Sequence, residues 1–540
     1  MSRTRTSVIP ASAIEQPVAA RSPRRLLGGS PRGLLLVCVL VVIVVALPVI
    51  VTIAQGLEGG VSAAVKAIDA SSARTLLVHS VLVAVVAAPL AGLIGVGSAW
   101  FIERTDLPGR RVWTLLAVAP LTIPLFVTSY AWASIGNLLT GFLGAAGIIA
   151  VSYSPIVFLL VAVALRGMDP ALEETAGSLG LNARQTFFRV ILPQLRPALL
   201  GGMLLVILDT LVEFDAFVAL KYQTFTVHIY AQYELSFSAS GAAALSFFSI
   251  VLCVLLLFGE SRLRGAANYT RVSHGVRRPL TRYRLGRATG LVLGGFAAGA
   301  SIGVGVPLGT LVYWFTQSSS AGLAGASANL HYLAPATLTS VGVGVAAALL
   351  ALCFALPVAF LVVRHKGGIP TFLERASYLS FALPDLVAAI ALAYAASHYA
   401  PRLYGSIALL VLAEAMLFVP FAIVALRATL GQIEPVLEDS ARSLGVGPLR
   451  AFARVTLPLA RPGMAAAGML VFAFVLGDLG TAQVLLPANL YTLGTEFQAN
   501  ASTVAFAAAA PFAAVLIALS MVATYVLMTR FGRVRAIGGR

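Results

Sequence analysis

The sequence predicts an all-α membrane protein with about twelve transmembrane helices arranged as two parallel repeats of six. The composition is the first reason, because 59% of the 540 residues are hydrophobic and only 11% are charged, which no soluble domain of this size shows. The second is a series of apolar runs that each approach the roughly 20 residues a spanning helix needs. The third is a polar segment that occurs twice, once in each half.

Six apolar runs lie in each half of the chain. Their approximate bounds are 33–54, 76–102, 113–136, 144–165, 198–220 and 242–259, then 288–315, 338–363, 377–397, 406–426, 463–486 and 505–529. Ser152, Tyr153 and Ser154 interrupt the fourth run. An even number of spans returns each half to the side on which it began, so the two repeats are parallel.

Positive charge sets the orientation of the chain. With the N-terminus in the cytoplasm, 33 of the 37 Lys and Arg residues fall in inside segments, and only Lys66, Arg74, Lys221 and Arg402 fall outside. The net charge of +16 therefore marks the inner face of a membrane protein, and we expect no nucleic-acid partner. The sequence thus predicts a basic cytoplasmic tail at 1–32, a first membrane domain at 33–259 and a basic cytoplasmic linker at 260–287. A second membrane domain at 288–529 and a cytoplasmic tail at 530–540 follow.

The repeated polar segment spans 170–197 and 435–462, and 14 of its 28 positions are identical in the two copies. In the first copy, Asp169-Pro170 is a favourable helix start, and Gly180 can end the helix in the left-handed conformation. Asn182 can cap a second short helix, which we expect Pro193 to end.

The second copy repeats this plan with Gly445 and Pro458. Each copy should form a helix–glycine–helix unit at the inner membrane surface, here called the elbow. The small side chains of Ala176 and Ala441 should let a partner approach closely.

The elbow resembles the EAA loop of inner-membrane permease subunits of binding-protein-dependent ABC importers. That loop reads Glu-Ala-Ala, three residues, Gly, nine residues, an aliphatic residue, one residue and Leu-Pro. The matching positions are Glu174-Thr175-Ala176, Gly180, Val190 and Leu192-Pro193, and Asp439-Ser440-Ala441, Gly445, Val455 and Leu457-Pro458. The resemblance implies that loops 166–197 and 427–462, with Glu173 and Glu438 beside these positions, dock on ATP-binding subunits.

The resemblance also implies the partners and the place of the protein. These are two ATP-binding subunits, a periplasmic substrate-binding protein and the lipid bilayer of a bacterial inner membrane, with both termini cytoplasmic. The run from Thr224 to Tyr230 resembles the ferric-iron branch, although Glu213-Phe214-Asp215 stands where that branch usually has Asp-Phe-Gly. Ferric iron is therefore the expected substrate, and thiamine, polyamines and phosphonates are the alternatives within the same class.

The chain carries no recognisable catalytic apparatus. None of its three lysines, Lys66, Lys221 and Lys366, ends the Gly-rich phosphate loop of an ATPase. ATP and Mg²⁺ are thus expected at the partner subunit, with no cofactor, no metal site and no catalytic residue in this chain. A gradient-driven secondary transporter built from two six-helix repeats is the rival class.

Acidic residues inside apolar runs are costly and therefore mark candidate functional positions. Six fall in the predicted spans: Asp209, Glu213, Asp215, Asp385, Glu414 and Asp478. The repeat offset of 265 places Glu213 opposite Asp478, so we expect Asp209, Glu213, Asp215 and Asp478 to line a translocation pathway that favours a cation. Alternatively, these acids cap helix ends. Tyr130, Tyr153 and Tyr230 fit interfacial anchoring.

Overall fold

A computed structural model describes residues 32–58, 71–136, 140–168, 170–236, 245–255, 282–321, 323–365 and 367–537. Within these ranges the chain is helical, apart from turns and one isolated β-bridge. Nine of the described helices are long and apolar enough to cross a membrane, and two bent pairs bring the number of candidate spans to eleven. The all-α polytopic prediction is confirmed. The predicted basic tail up to 31, most of the linker and residues 538–540 lie outside the described residues.

The helices of the first half run from Arg32 to Leu255. They are α1 Arg32–Glu58, α2 Ser71–Arg104, α3 Arg110–Val118, α4 Leu125–Ile135, α5 Phe142–Gly167, α6 Pro170–Ser178, α7 Ala183–Thr186, α8 Leu192–Val212, α9 Asp215–Ala219, α10 Phe225–Ser236 and α11 Leu245–Leu255. The first elbow consists of α6 and α7. Helix α11 lies within the sixth predicted span, 242–259, and residues 242–244 and 256–259 lie outside the described residues.

The second half repeats this order of elements. Its helices are α12 Thr289–Ala300, α13 Val306–Ala321, α14 Leu323–Arg364, α15 Gly368–Ser377, α16 Asp385–Tyr399, α17 Ile407–Leu430, α18 Pro435–Ser443, α19 Pro448–Ala451, α20 Leu457–Gly477, α21 Gly480–Leu485, α22 Leu493–Ser502 and α23 Phe506–Ile537. The second elbow consists of α18 and α19.

The third span of each half, predicted at 113–136 and 377–397, is bent. The bends measure 90° between α3 and α4 and 95° between α15 and α16. Pro124 and Pro384 follow the breaks, and the residues before them, Ile123 and Leu383, are extended. Proline disfavours helical backbone at the preceding residue, which explains the break at the same place in both halves.

The fifth span of each half ends earlier than expected. Helices α8 and α20 stop at Val212 and Gly477, and the expected continuations to 220 and 486 form the separate short helices α9 and α21. The break falls at Glu213 and Asp478, whose backbones are extended. Each carboxylate accepts a hydrogen bond from the backbone N–H three residues later, at 2.9 Å and 3.2 Å. These local bonds compete with helix continuation.

The first helix of each half packs against the other half. Cys38 and Val45 of α1 belong to the same buried cluster as Leu410 of α17. Trp314 of α13 is buried in a cluster with Phe126 of α4. Each half thus completes the apolar core of the other, which fixes the two halves against each other around a shared interface.

Helices of the first half approach at backbone distance. A Cβ atom on Gly95 of α2 would lie 2.8 Å from the backbone nitrogen of Phe158 in α5, and one on Gly202 of α8 would lie 3.1 Å from the Cα of Val157. Small residues at such crossings let membrane helices gain van der Waals contact. Helices α2, α5 and α8 are therefore packed tightly against one another. Tyr153 lies on α5 and Asp209 on α8, and the first elbow lies between these two helices in the chain.

Candidate functional site

Both elbow helices end in the left-handed glycine that the sequence predicts. Gly180 and Gly445 have φ of 79° and 82°. In the first copy the N–H of Gly180 donates to Gly177 O and that of Leu181 donates to Ala176 O, which is the paired bonding of a Schellman motif. The second copy makes the equivalent bonds. Asn182 caps α7 as expected, because its Oδ1 accepts from the backbone of Gln185 at 2.9 Å; Asp169 lies outside the described residues.

The expectation that Pro193 and Pro458 end the second elbow helix was wrong. Each proline lies in the first turn of a spanning helix, α8 or α20, which continues from the elbow through a π-helical turn. Proline is tolerated in a first turn, since its missing N–H has no obligatory partner there, and the π-helical turn re-pairs the backbone just before it. Leu192 and Leu457 begin these helices and are partly buried. Each elbow is therefore mechanically continuous with the fifth span of its half.

A buried ion pair ties the first elbow to the second span. Arg104, the last residue of α2, is fully buried, and its Nη1 lies 2.8 Å from Oε1 of Glu173, which is 5% exposed. Its Nη2 donates to Leu165 O at 3.3 Å. Because breaking a buried pair leaves an uncompensated charge, this contact holds α6 firmly to α2.

The second elbow carries the equivalent pair. Arg364, the last residue of α14, donates from Nε and Nη2 to Oε1 of Glu438 at 3.0 Å and 2.8 Å. The hydroxyl of Thr456 donates to the same oxygen at 2.7 Å. Sequence reasoning treated both arginines only as inside-positive charge. The signal that could have identified them is an arginine ending the second span of each half.

The linker contacts the first elbow, and among the described residues the second elbow has no equivalent contact. Tyr283 forms a parallel bridge with Thr105, and its hydroxyl donates to Oε2 of Glu173 at 3.2 Å. Partial burial, and next the negative charge of Glu173, raise the pKa of Tyr283, so the hydroxyl keeps its proton at neutral pH and can donate. The backbone at 283 also bonds Arg104 O at 2.8 Å and Asp106 N at 3.2 Å. The connection between the halves is thereby clamped against one elbow.

We expect Tyr283→Phe to loosen this clamp. A hydrogen bond to a charged group contributes about 1.5–3 kcal/mol, so the amides of Asp106 and Tyr283 should exchange hydrogen for deuterium faster in the variant. Tyr313→Phe is the control, because Tyr313 is more than half exposed and far along the chain from the clamp. Unchanged exchange at both amides would mean that the tyrosine hydroxyl does not hold the linker.

The outward faces of the elbows combine charge with exposed apolar side chains. Glu174 and Asp439 are exposed, and Leu179 and Leu444, which the repeat relates, are 75% and 84% exposed. By contrast Ala176 is buried, and Ala441 is partly buried. The close approach expected of these alanines is therefore made to the chain itself, because they face the membrane domain rather than the outer surface of the elbow.

The predicted acids meet at a cavity between the two halves. The cavity has a volume of about 190 Å³ and is lined by Asp209, Glu213, Asp215, Asp385 and Asp478, together with Pro120, Leu121, residues 123–126 and parts of α5, α17, α20 and α23. Glu414 and Asp478 line a smaller neighbouring pocket. All six acids singled out in the sequence thus lie in one region of the fold, contributed by both halves.

These acids contact one another as well as the backbone. The carboxyls of Asp385 and Glu414 are each in hydrogen-bond contact with that of Asp478, and Asp478 also accepts from the hydroxyl of Thr481 at 2.8 Å. Asp215 accepts from backbone N–H groups at the start of α21. The same acidic side chains therefore both cap helices and line the cavity.

Tyr153 does not anchor the protein at the membrane interface, contrary to expectation. It lines the cavity, and its hydroxyl donates to Oε2 of Glu213 at 3.2 Å and also contacts Asp209. Ser152 lines the cavity as well, so two of the three polar residues that interrupt the fourth apolar run face the cavity from an unbroken helix. The hydroxyl of Ser154 instead donates to Val151 O. Tyr130 is buried against Phe497 and is not an interfacial residue either.

The second half supplies an aromatic wall that sequence reasoning missed. The ring of Phe474 stacks on Phe421 at 4.0 Å and on Phe418 at 5.7 Å, and all three line the cavity. Phenylalanines in apolar runs are indistinguishable from core residues by pattern, so no signal separated them. In the part of the chain that the structure describes, no group of three or more His, Cys, Asp or Glu side chains could hold a metal ion.

Comparison with known proteins identifies the family. Residues 18–263 and 351–534 match the binding-protein-dependent transport system inner membrane component. The chain is 34% identical over 508 residues, 94% of its length, to 99% of the Fe(3+)-transport system permease protein FbpB 2 of Haemophilus influenzae. It is 28% identical over 366 residues, 65% of its length, to 52% of the ferric transport system permease protein FbpB of Actinobacillus pleuropneumoniae.

A sulfate permease is similar over a shorter stretch. The sulfate transport system permease protein CysT of Salmonella typhimurium is 29% identical over 216 residues, which cover 36% of this chain and 78% of that protein. The resemblance first drawn from the elbow loops is thus confirmed across most of the sequence. The chain belongs to the family of inner membrane components of binding-protein-dependent transport systems, and it is a multi-pass permease in which the family match occurs twice.

Proposed function

We propose that this chain is the membrane subunit of an ATP-driven importer that carries Fe³⁺ delivered by a periplasmic binding protein. The similarity over 94% of the chain to a permease named for Fe(3+) transport carries the proposal. The acidic cavity supports it, because carboxylates favour a cation and repel sulfate or phosphonate. Thiamine and polyamines are the remaining cationic alternatives.

In this proposal, two copies of an ATP-binding subunit bind the two elbows from the cytoplasm. The elbows have the same fold and the same left-handed glycine, so a symmetric pair of partners fits a pseudo-symmetric pair of surfaces. The exposed residues Glu174, Gly180, Asp439 and Gly445 form the docking surface. The other residues of the two elbow loops hold that surface in place from the side of the membrane domain: Glu173, Ala176, Leu192 and Pro193 in the first copy, and Glu438, Ala441, Leu457 and Pro458 in the second. ATP and Mg²⁺ belong to the partner, and both termini of this chain lie in the cytoplasm.

Two kinds of connection, each present in both halves, transmit movement of the elbows to the membrane-spanning helices. The Arg104–Glu173 and Arg364–Glu438 pairs join the elbows to the second spans, and the π-helical turns join them to the fifth spans. The fifth spans end at the acids of the cavity. Closure of the ATP-binding dimer therefore shifts the walls around Asp209, Glu213, Asp215 and Asp478, which line the pathway and alternately face the two sides of the membrane.

Uptake by the reconstituted complex tests this function. We expect proteoliposomes that contain ATP and the complete complex to accumulate radioactive iron from the iron-loaded binding protein, and to stop when ATP is omitted. A proton or sodium ionophore should leave uptake unchanged. Uptake that is independent of ATP and abolished by the ionophore would instead identify a secondary transporter, and uptake of thiamine or a polyamine but not iron would correct the substrate.

A further inference from the structure

The central cavity has two chemically different walls. Tyr153 and Asp209 on the wall of the first half correspond, 265 residues further on, to Phe418 and Phe474 on the wall of the second half. A duplicated pathway would carry the same residues on both walls if both bound the substrate in the same way. The first half instead presents oxygen donors where the second half presents stacked aromatic rings.

We propose that Tyr153, Asp209 and Glu213 form a subsite for Fe³⁺ within the membrane, supplied by the first half of the chain alone. The subsite gives the proposed iron import a binding step inside the pathway and rests on that function. Small, highly charged cations prefer hard oxygen donors such as carboxylates. Asp209 and Glu213 supply two carboxylate ligands, and the phenol oxygen of Tyr153 supplies a third ligand.

The geometry of the three side chains suits one small cation. The Tyr153 hydroxyl lies 3.2 Å from Oε2 of Glu213 and is in hydrogen-bond contact with the Asp209 carboxyl. A small octahedral cation holds oxygens at roughly 2.0–2.1 Å, which puts neighbouring ligand oxygens about 2.9 Å apart. The phenol oxygen therefore bridges the two carboxylates, and its distance to the Glu213 carboxylate is close to the spacing that coordination requires.

The cavity also holds buried polar atoms without partners. Oδ1 of Asp215 and Oγ of Ser520 have no hydrogen-bond partner in the described part of the chain, although these residues are only 7% and 4% exposed. Both residues line the cavity. An unsatisfied buried polar group costs about 1–3 kcal/mol, and a hydrated cation entering the cavity would satisfy both through its bound water.

Charge balance favours a trivalent ion at this place. Metal binding requires deprotonated ligands and releases protons, so the Tyr153 phenol gives its proton to cavity water when the ion binds. Two carboxylates and one phenolate then offset three positive charges, which reduces the desolvation cost of the ion in the membrane interior. The rings of Phe418 and Phe474, which occupy the equivalent positions on the second half, offer no oxygen ligand to the ion.

Terbium luminescence tests the subsite directly. Tb³⁺ is a trivalent, oxygen-preferring probe whose emission is sensitised by a coordinating tyrosine. The assembled complex in lipid nanodiscs, corrected for empty discs, should bind Tb³⁺ with tyrosine-sensitised emission. Tyr153→Phe and Asp209→Asn should each weaken binding at least about tenfold, since even partners beyond the first ligand shell change metal affinity by about 10–100-fold. Phenylalanine is compatible with the fold here, because Phe418 occupies the equivalent position.

Tyr130→Phe is the matched control, because Tyr130 is a buried tyrosine outside the cavity lining, and it should bind Tb³⁺ like the wild type. Binding of Tb³⁺ by the Tyr153→Phe and Asp209→Asn complexes as tight as that of the wild type, or equal weakening by Tyr130→Phe, would overturn the subsite.

Iron uptake separates the subsite from the import function. If iron were transported and both variants transported it like the wild type, the subsite would be wrong and the import function would stand. If the wild type bound Tb³⁺ through these residues but imported no iron, the substrate assignment would fail and the cation subsite would stand.

Discussion

The double variant Gly180→Asp, Gly445→Asp should lose ATP-dependent uptake while it remains inserted in the membrane. Both glycines are left-handed, and a side chain at either would meet no atom within 4 Å. Each substitution therefore costs only the backbone strain of about 1–2 kcal/mol and adds a negative charge to an exposed surface beside Glu174 or Asp439. The consequence falls on the partner that docks there, not on the membrane domain.

Copurification and uptake measure this result. The wild-type chain should retain two ATP-binding subunits per permease by native mass. The double variant should lose them and reduce uptake at least about tenfold, because each 1.4 kcal/mol of docking energy is a factor of about ten in affinity. Gly405→Asp is the matched control: Gly405 is also left-handed with no atom within 4 Å, but it lies between α16 and α17 on the predicted outer side. Normal uptake by the double variant, or an equal loss in the control, would contradict docking at the elbows.

The features of the fold that depend on composition and local chemistry could be predicted from the sequence. The lengths of the apolar runs predict the positions of the spans. The glycines of the elbows predict where the first helix of each elbow ends, because a left-handed residue there closes the helix. Prolines inside the predicted spans, among them Pro124 and Pro384, indicate kinks or hinges, but the bend angles of 90° and 95° leave no mark on the hydropathy. The exchange of first helices between the halves was also missed, because partner choice between apolar helices leaves no mark on their hydropathy.

The candidate site was predicted in part for the same reason. The six acids could be found, since charge inside an apolar run is conspicuous, and they do meet at one cavity. Tyr153 was assigned to the interface because tyrosine is common there, and only its contact with Glu213 reveals its place. Arg104 and Arg364 were counted as topology signals, although one side chain can both mark the inner face and bind a buried glutamate.

The Arg104→Ala variant should strongly destabilise the contact between α2 and the first elbow. The arginine is fully buried, and its removal leaves Glu173 without its ion-pair partner at a site that is almost closed to solvent. Breaking a buried pair costs about 3–5 kcal/mol, which is a large part of the stability of most folded domains. The free energy of unfolding, measured by denaturant titration in mixed micelles, should fall by that amount.

Two further variants separate the pair's effect on stability from its effect on transport. Arg166→Ala removes the neighbouring pair with Glu103, in which the arginine is about half exposed, and should change stability by less than about 1 kcal/mol. Arg104→Leu with Glu173→Leu replaces both charges by apolar groups, which often restores stability. We expect this double variant to unfold like the wild type yet import poorly, because apolar contact does not fix the orientation of the elbow as the ion pair between Arg104 and Glu173 does. Wild-type uptake by the stable double variant would show that the ion pair only supports folding and does not position the elbow for its partner.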